Sequence, residues 1–299
     1  MAGCSTRSTT RAELASAIAL APSAPAARKL GVLPGFRRTL GFTLAYLGAI
    51  VLLPLAALVL RATGIGWDGL VQLLADRRTL AAFRVTFGIA AASAATDSVL
   101  GLLVAWVLVR YRFPLRRIVD ALVDLPIALP TAVAGIALTE LYAPHGWLGT
   151  PLSAAGLKIA FGPPGIYVAL TFIGLPFVVR AVEPVLADLP ADLEEAAATL
   201  GATPAQIFAR VILPPLVPAL LTGLTLAFGR AIGEYGSVIF IAGNMPGVSE
   251  IVPLLIVIEL EQYKYAAAAV LGTAMLAASF LIMLAINLIQ NWSERRLGR

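Results

Sequence analysis

Apolar residues fall in long blocks along this chain. Six of them, residues 40–60, 85–109, 118–142, 166–186, 214–241 and 265–289, approach or exceed the ~20 residues that a helix needs to cross a bilayer. The first and last contain no charged residue. The middle four carry a few ionisable side chains, which are costly in lipid and therefore turn toward the protein interior. The pattern predicts an all-α integral membrane protein of about six transmembrane helices.

Composition agrees. Hydrophobic residues make up 59% of the 299 positions and charged residues 13%, with a mean hydropathy of +0.89. A soluble domain carries roughly 25% charged residues, so this chain presents apolar surface to lipid. Its one cysteine, Cys4, excludes an intramolecular disulfide and a cysteine-based metal cluster. Its one histidine, His145, argues against a His-rich metal site or a Ser/His/Asp triad. The net charge of +5 fits a membrane protein with basic cytoplasmic loops better than a nucleic-acid partner.

Residues 1–37 are rich in Ala, Ser, Pro and Arg and lack the apolar core of a signal peptide. They read as a disordered cytoplasmic tail. Residues 38–292 form the membrane domain, and 293–299 a short cytoplasmic tail.

Lysine and arginine set the orientation. Arg28, Lys29, Arg37 and Arg38 precede the first span. Arg110, Arg112, Arg116 and Arg117 fill the link between the second and third, and Arg295, Arg296 and Arg299 follow the last. With six spans these clusters share one side, the cytoplasm, together with both termini. Loops 143–163 and 243–264 then face the periplasm. Arg61, Arg77 and Arg78 in the first outer loop oppose this, three clusters against one loop.

The loop at 187–213, on the same cytoplasmic side, breaks the charge pattern: Asp188, Asp192, Glu194 and Glu195 stand against Arg210 alone. Its punctuation is helical. Asp192-Leu-Glu-Glu195 reads as a capping box, and Gly201 suits a left-handed stop. Thr203-Pro204-Ala-Gln206 then restarts a helix, with Thr203 as N-cap and Pro204 in the first turn.

The same loop carries a resemblance. Glu195-Ala196-Ala197, three residues, Gly201, nine residues, then Val211-Ile212-Leu213-Pro214 resembles the EAA motif of ABC importer permeases, with Val211 in place of the usual isoleucine. The resemblance implies a type I ABC importer permease fold with a cytoplasmic coupling helix. In that reading Glu195, Ala196, Ala197, Gly201, Leu213 and Pro214 form the ATPase-coupling site. Small alanines permit close approach, Glu195 offers a charge-assisted hydrogen bond, and Gly201 makes the turn.

The chain contains no Walker A sequence. It is therefore expected to be a non-catalytic subunit that binds no cofactor, with ATP and Mg used by a separate ATPase.

The segment Ala231-Ile-Gly-Glu234-Tyr-Gly through Gly243-Asn244-Met-Pro-Gly, with Leu33-Pro-Gly-Phe and Glu250-Ile-Val-Pro, is similar to T-type sulfate/thiosulfate permeases of the bacterial inner membrane. That similarity implies three partners: ATPase subunits, a second homologous permease in a heterodimer, and a periplasmic sulfate/thiosulfate-binding protein. Molybdate permeases are similar around Gly233-Glu234 and Gly243-Asn244, so a molybdate or tungstate importer stays open, with a homodimeric pore. An ion-coupled secondary transporter using Asp97 or Glu140 would need no coupling loop.

Arg230 and Glu234 lie one turn apart in the fifth block and share a face. Two readings stay open: a buried ion pair that fixes helix orientation, or an arginine beside the translocation path restrained by Glu234. The Arg-before-Glu order is the weaker one on an isolated helix, which points to partners on other helices. Arg180 and Glu183 form a second candidate pair. Asp97, Asp120, Asp124 and Glu140 are expected to face the interior, with Asp120 and Asp124 pairing locally with Arg116 and Arg117. Pro126 and Pro130 mark a candidate kink.

Overall fold

The computed structural model describes residues 36–296. The predicted N-terminal tail, up to residue 35, and residues 297–299 of the predicted C-terminal tail lie outside them. The described residues fall into two units, divided between Leu53 and Pro54. The described part of the first is the opening of helix α1 (Phe36–Ala62). Within it, Phe42 and Tyr46 stack one turn apart, with ring centroids at 6.2 Å.

In the second unit a 3-10 turn, Thr63–Ile65, leads to α2 (Gly66–Ala75) and α3 (Arg77–Arg110). There follow α4 (Arg116–Ala128), α5 (Thr131–Tyr142), the short α6 (Gly149–Ala154), α7 (Pro163–Ala187) and α8 (Ala191–Thr199). Helix α9 (Pro204–Ile207) passes through a π-helical turn, Phe208–Ile212, into α10 (Leu213–Ile232). The chain closes with α11 (Val238–Ile241), α12 (Val252–Glu261) and α13 (Tyr265–Arg296). Strands are absent among the described residues.

Asp76 starts α3: its carboxylate accepts from the backbone N–H groups of Arg78 and Thr79, which are among the donors a helix start leaves unpaired. The buried positions of α3 run Thr79, Ala82, Thr86, Ala90, Ser93, Ala94, Asp97, Gly101, Ala105 and Leu108. That three-to-four spacing is one face of a helix. It packs along α7, which packs in turn on α10. Glycines make the approach close: a Cβ on Gly101 would lie 2.7 Å from Val178 Cβ, and one on Gly223 would lie 2.8 Å from Val178 Cα. Val178 of α7 is thus clasped from both sides, the small-residue packing that membrane helices favour.

Two apolar blocks are not single helices. The third, predicted over 118–142, is α4 and α5 bent by 111°. Leu129 stands before Pro130, which forces it out of the helical region; both are extended, at ψ 138 and 130. The fifth, predicted over 214–241, ends as a helix at Ile232, breaks at residues 233–237 and resumes in α11. The two breaks interlock. A Cβ on Gly135 of α5 would lie 2.5 Å from the Ser237 carbonyl oxygen, and a Cβ on Gly236 would collide with Thr131 Oγ1.

Loop 243–264, predicted as a plain outer loop, contains α12. Its first turn is fastened to α3: the Val252 N–H donates to Thr86 Oγ1 at 2.9 Å, and Arg78 donates from both Nε and Nη2 to the carboxylate of buried Glu250. Ahead of α12, Gly243, Asn244 and Gly247 take φ values of 71°, 51° and 76°. A Cβ at Gly243 would also press on the Phe161 carbonyl, so the residue must be glycine there.

Candidate functional site

Helix α8 and the hairpin after it hold the predicted coupling residues. Its N-cap is Pro190, which provides no side-chain hydrogen bond, so the expected capping box at Asp192 does not form. Asp192 sits inside the first turn instead, where a carboxylate still favours the positive end of the helix dipole. The other end follows the sequence. Gly201 has φ +81°, its N–H donates to the Ala198 carbonyl at 3.0 Å, and the Ala202 N–H donates to the Ala197 carbonyl at 3.1 Å. These two bonds make a Schellman stop. Thr203 and Gln206 form a reciprocal capping box ahead of Pro204.

Glu195 and Ala196 are exposed, Ala197 is half-buried, and Leu200 is 88% exposed. No residue of α8 is buried. Glu195 makes no hydrogen bond or ion pair among the described residues, whereas its neighbour Glu194 pairs with Arg110 at the end of α3. Leu213 and Pro214 open α10, half-buried. Pro214 and Pro215 lack the N–H groups that an α-helix would give to the Arg210 and Val211 carbonyls, and their rings crowd those oxygens. The turn widens, and Leu213 donates to the Phe208 carbonyl, a π-helical bond.

Arg230, in the last turn of α10, pairs with Glu234 just past the end of that helix, rather than with a partner on another helix. Glu234 is 2% exposed and Arg230 32%. The second oxygen of Glu234 accepts from the Ser237 N–H and hydroxyl at 2.9 and 3.0 Å. The carboxylate therefore bridges the end of α10 and the start of α11 across the break, and this gain offsets the unfavourable residue order. Arg230 also edges an apolar cavity of about 620 Å³ with Gly229, Gly233, Ile256 and Ser279.

Arg180 of α7 pairs with Glu183 at 2.6 Å. It also takes Asp120 and Asp124 of α4, with Nε and Nη2 forked onto the Asp124 carboxylate at 2.8 and 2.6 Å. The expected pairing of those aspartates with Arg116 and Arg117 is not made; both of these arginines are exposed, and a planar fork matches a carboxylate better than a flexible local contact. Asp97 is 1% exposed, and neither carboxylate oxygen has a partner. It lies against Gly174, where a Cβ would collide with it. Glu140 is exposed, not interior: it shares an open cavity with His145 and Trp147 at the end of α5.

Sequence reasoning used Arg110 only as a charge marker and missed its contact with Glu194. The unexplained acid excess of the 187–213 loop was the available signal.

A bundle of apolar spans, two of them broken, with an exposed and separately capped helix at one end, defines a membrane transport subunit. The chain belongs to the family described as binding-protein-dependent transport system inner membrane component, whose pattern matches residues 97–299, and is a multi-pass inner-membrane protein. It is 49% identical over 253 residues to a sulfate transport system permease protein CysT of Synechocystis, covering 85% of this chain and 88% of that one. It is 45% identical over 265 residues to the Escherichia coli protein of the same name, covering 89% and 96%. Among solved structures, a chain of a bacterial ABC transporter that imports alginate superposes with a TM-score of 0.69 at 19% identity, over 88% of this chain and 96% of that one. A chain of the MetNI methionine ABC transporter gives 0.54 at 24% identity, over 72% and 96%. At these identities the superpositions establish the shared fold.

Proposed function

We propose that this chain is a pore-forming permease subunit of an ATP-driven sulfate or thiosulfate importer. The observation that carries the reading is the relationship to sulfate permeases across 85% or more of the chain. The exposed α8 hairpin with its free Glu195 supports a docking role. A separate ATPase subunit, using ATP and Mg, seats on α8; a second homologous permease completes the pore; a periplasmic protein delivers the anion. ATP binding draws the coupling helices together and turns the spans outward, and hydrolysis resets them.

Both termini and the 187–213 loop are cytoplasmic in this reading. The ion pair Arg110–Glu194 supports it, because it brings the basic link and the acidic loop to one end of the bundle.

The test is uptake by the operon-encoded complex in a strain that lacks its own sulfate importer. Sulfate should accumulate and molybdate should not; the reverse would reassign the substrate. Gly201→Asp and Glu195→Ala should lower uptake severalfold at normal membrane abundance. At Gly201 a Cβ meets no atom within 4 Å, so the change costs only the ~1–2 kcal/mol of a left-handed non-glycine residue plus the charge brought to the docking face. Normal uptake by both variants would remove the coupling role.

A further inference from the structure

We propose that Arg110 is a positioning residue that transmits the movement of the coupling helix into α3, the long helix that packs along the buried α7. The inference rests on the coupling reading above.

Helix α8 has no buried side chain and is joined covalently to the bundle only through its two ends. Among the described residues, one side-chain bond reaches from α8 to a membrane-spanning helix: Glu194 to Arg110. Side-chain exposures of 28% and 22% leave this pair partly shielded, so it is stronger than a fully solvated surface pair. Arg110 is also held from behind. Its guanidinium lies 5.9 Å from the centroid of the Trp106 ring, a cation–π distance. Trp106 meets Phe208 edge-on, with centroids 5.8 Å apart and planes at 71°, a favoured aromatic geometry.

Phe208 is the first residue of the π-helical turn, so the last turn of α3 grips the coupling segment at two points. Glu194 holds the helix itself, and Phe208 holds the chain that leaves it. One turn back, Ala105 and Leu108 of α3 are fully buried, so force applied at Arg110 enters packed core rather than a free end. A displacement of α8 must therefore carry α3 with it or break the Arg110–Glu194 bond. Without the bond, motion would reach the spans only through the α7 and α9 connections and the Trp106–Phe208 contact, and ATP would be hydrolysed with less transport.

The experiment uses the whole complex reconstituted in proteoliposomes and reads sulfate moved per ATP hydrolysed. Arg110→Gln and Glu194→Gln should each retain the ATPase subunit and its hydrolysis while losing at least fivefold in sulfate per ATP. The charge-exchanged double variant, Arg110→Glu with Glu194→Arg, should regain more than half of the loss. Arg110→Lys keeps the charge but loses the planar fork and should fall between. Complex yield by size exclusion separates folding loss from uncoupling, and a variant that fails to assemble is replaced by Trp106→Leu, which removes the rear support and should uncouple in the same direction. Wild-type sulfate per ATP in both single variants would overturn the inference. So would equal loss in both singles and the exchange variant with hydrolysis falling in proportion. Failure of the wild-type complex itself to move sulfate would instead strike the functional reading.

Discussion

Among the described residues Glu234 has the most committed carboxylate: one oxygen takes Arg230 and the other takes Ser237 across a helix break. Breaking a buried pair by removing one partner costs ~3–5 kcal/mol in a dry interior, and less here because Arg230 is 32% exposed. Glu234→Leu should therefore lower the yield of folded protein, while Arg230→Met with Glu234→Gln, which keeps an oxygen for the buried Ser237 donors, should recover most of it. Uptake by that double variant separates the two roles open to the pair. Normal transport makes it a structural clamp, and lost transport at restored yield puts Arg230 beside the anion's path. The i, i+4 spacing made the pair readable in advance. The Ser237 bonds were not, since they depend on a break that an apolar stretch conceals.

At the scale of elements, glycines decide how the broken helices meet. Gly135→Ala would place a methyl 2.5 Å from the Ser237 carbonyl oxygen and 2.6 Å from its Cα, where backbone must move. Overpacking of this kind costs ~1–3 kcal/mol. Its thermal midpoint in detergent should fall clearly, while Gly233→Ala, with no atom within 4 Å and a negative φ, should leave it nearly unchanged. Equal midpoints would show that α5 does not bear on the break. Hydropathy located α1, α3, α7 and α13 because length and apolarity are local properties. It merged α4 with α5 and α10 with α11, although Pro130 and Gly233 were in view, because proline and glycine are tolerated inside membrane helices where neighbours re-satisfy the backbone. It passed over α12, whose ten residues are too short to span. The Schellman stop at Gly201 and the capping box at Thr203 were legible in full, since both depend on residues within one turn.

At the scale of the molecule, charge is balanced between distant parts of the chain. The acid excess of 187–213 is answered in part from outside the loop, where Arg110 takes Glu194. In the same way Arg180 takes Asp120 and Asp124 from a separate helix. With Cys4 replaced, a cysteine at position 206 should react with an impermeant thiol reagent only after the membrane is opened, and one at position 158 should react in intact cells. Labelling of position 206 from outside would invert the topology. The π-helical turn at Phe208–Ile212 has a consequence of its own. An α-helix advances about 100° per residue, so a wide turn holding one extra residue sets the phase between everything before it and everything after it. Chain length at this point is therefore more tightly constrained than side-chain identity. Trading Val211 for isoleucine leaves the phase alone, whereas removing any one of the five residues would turn the hairpin about 100° around the axis of the span, and the docking face would look into the wrong quadrant.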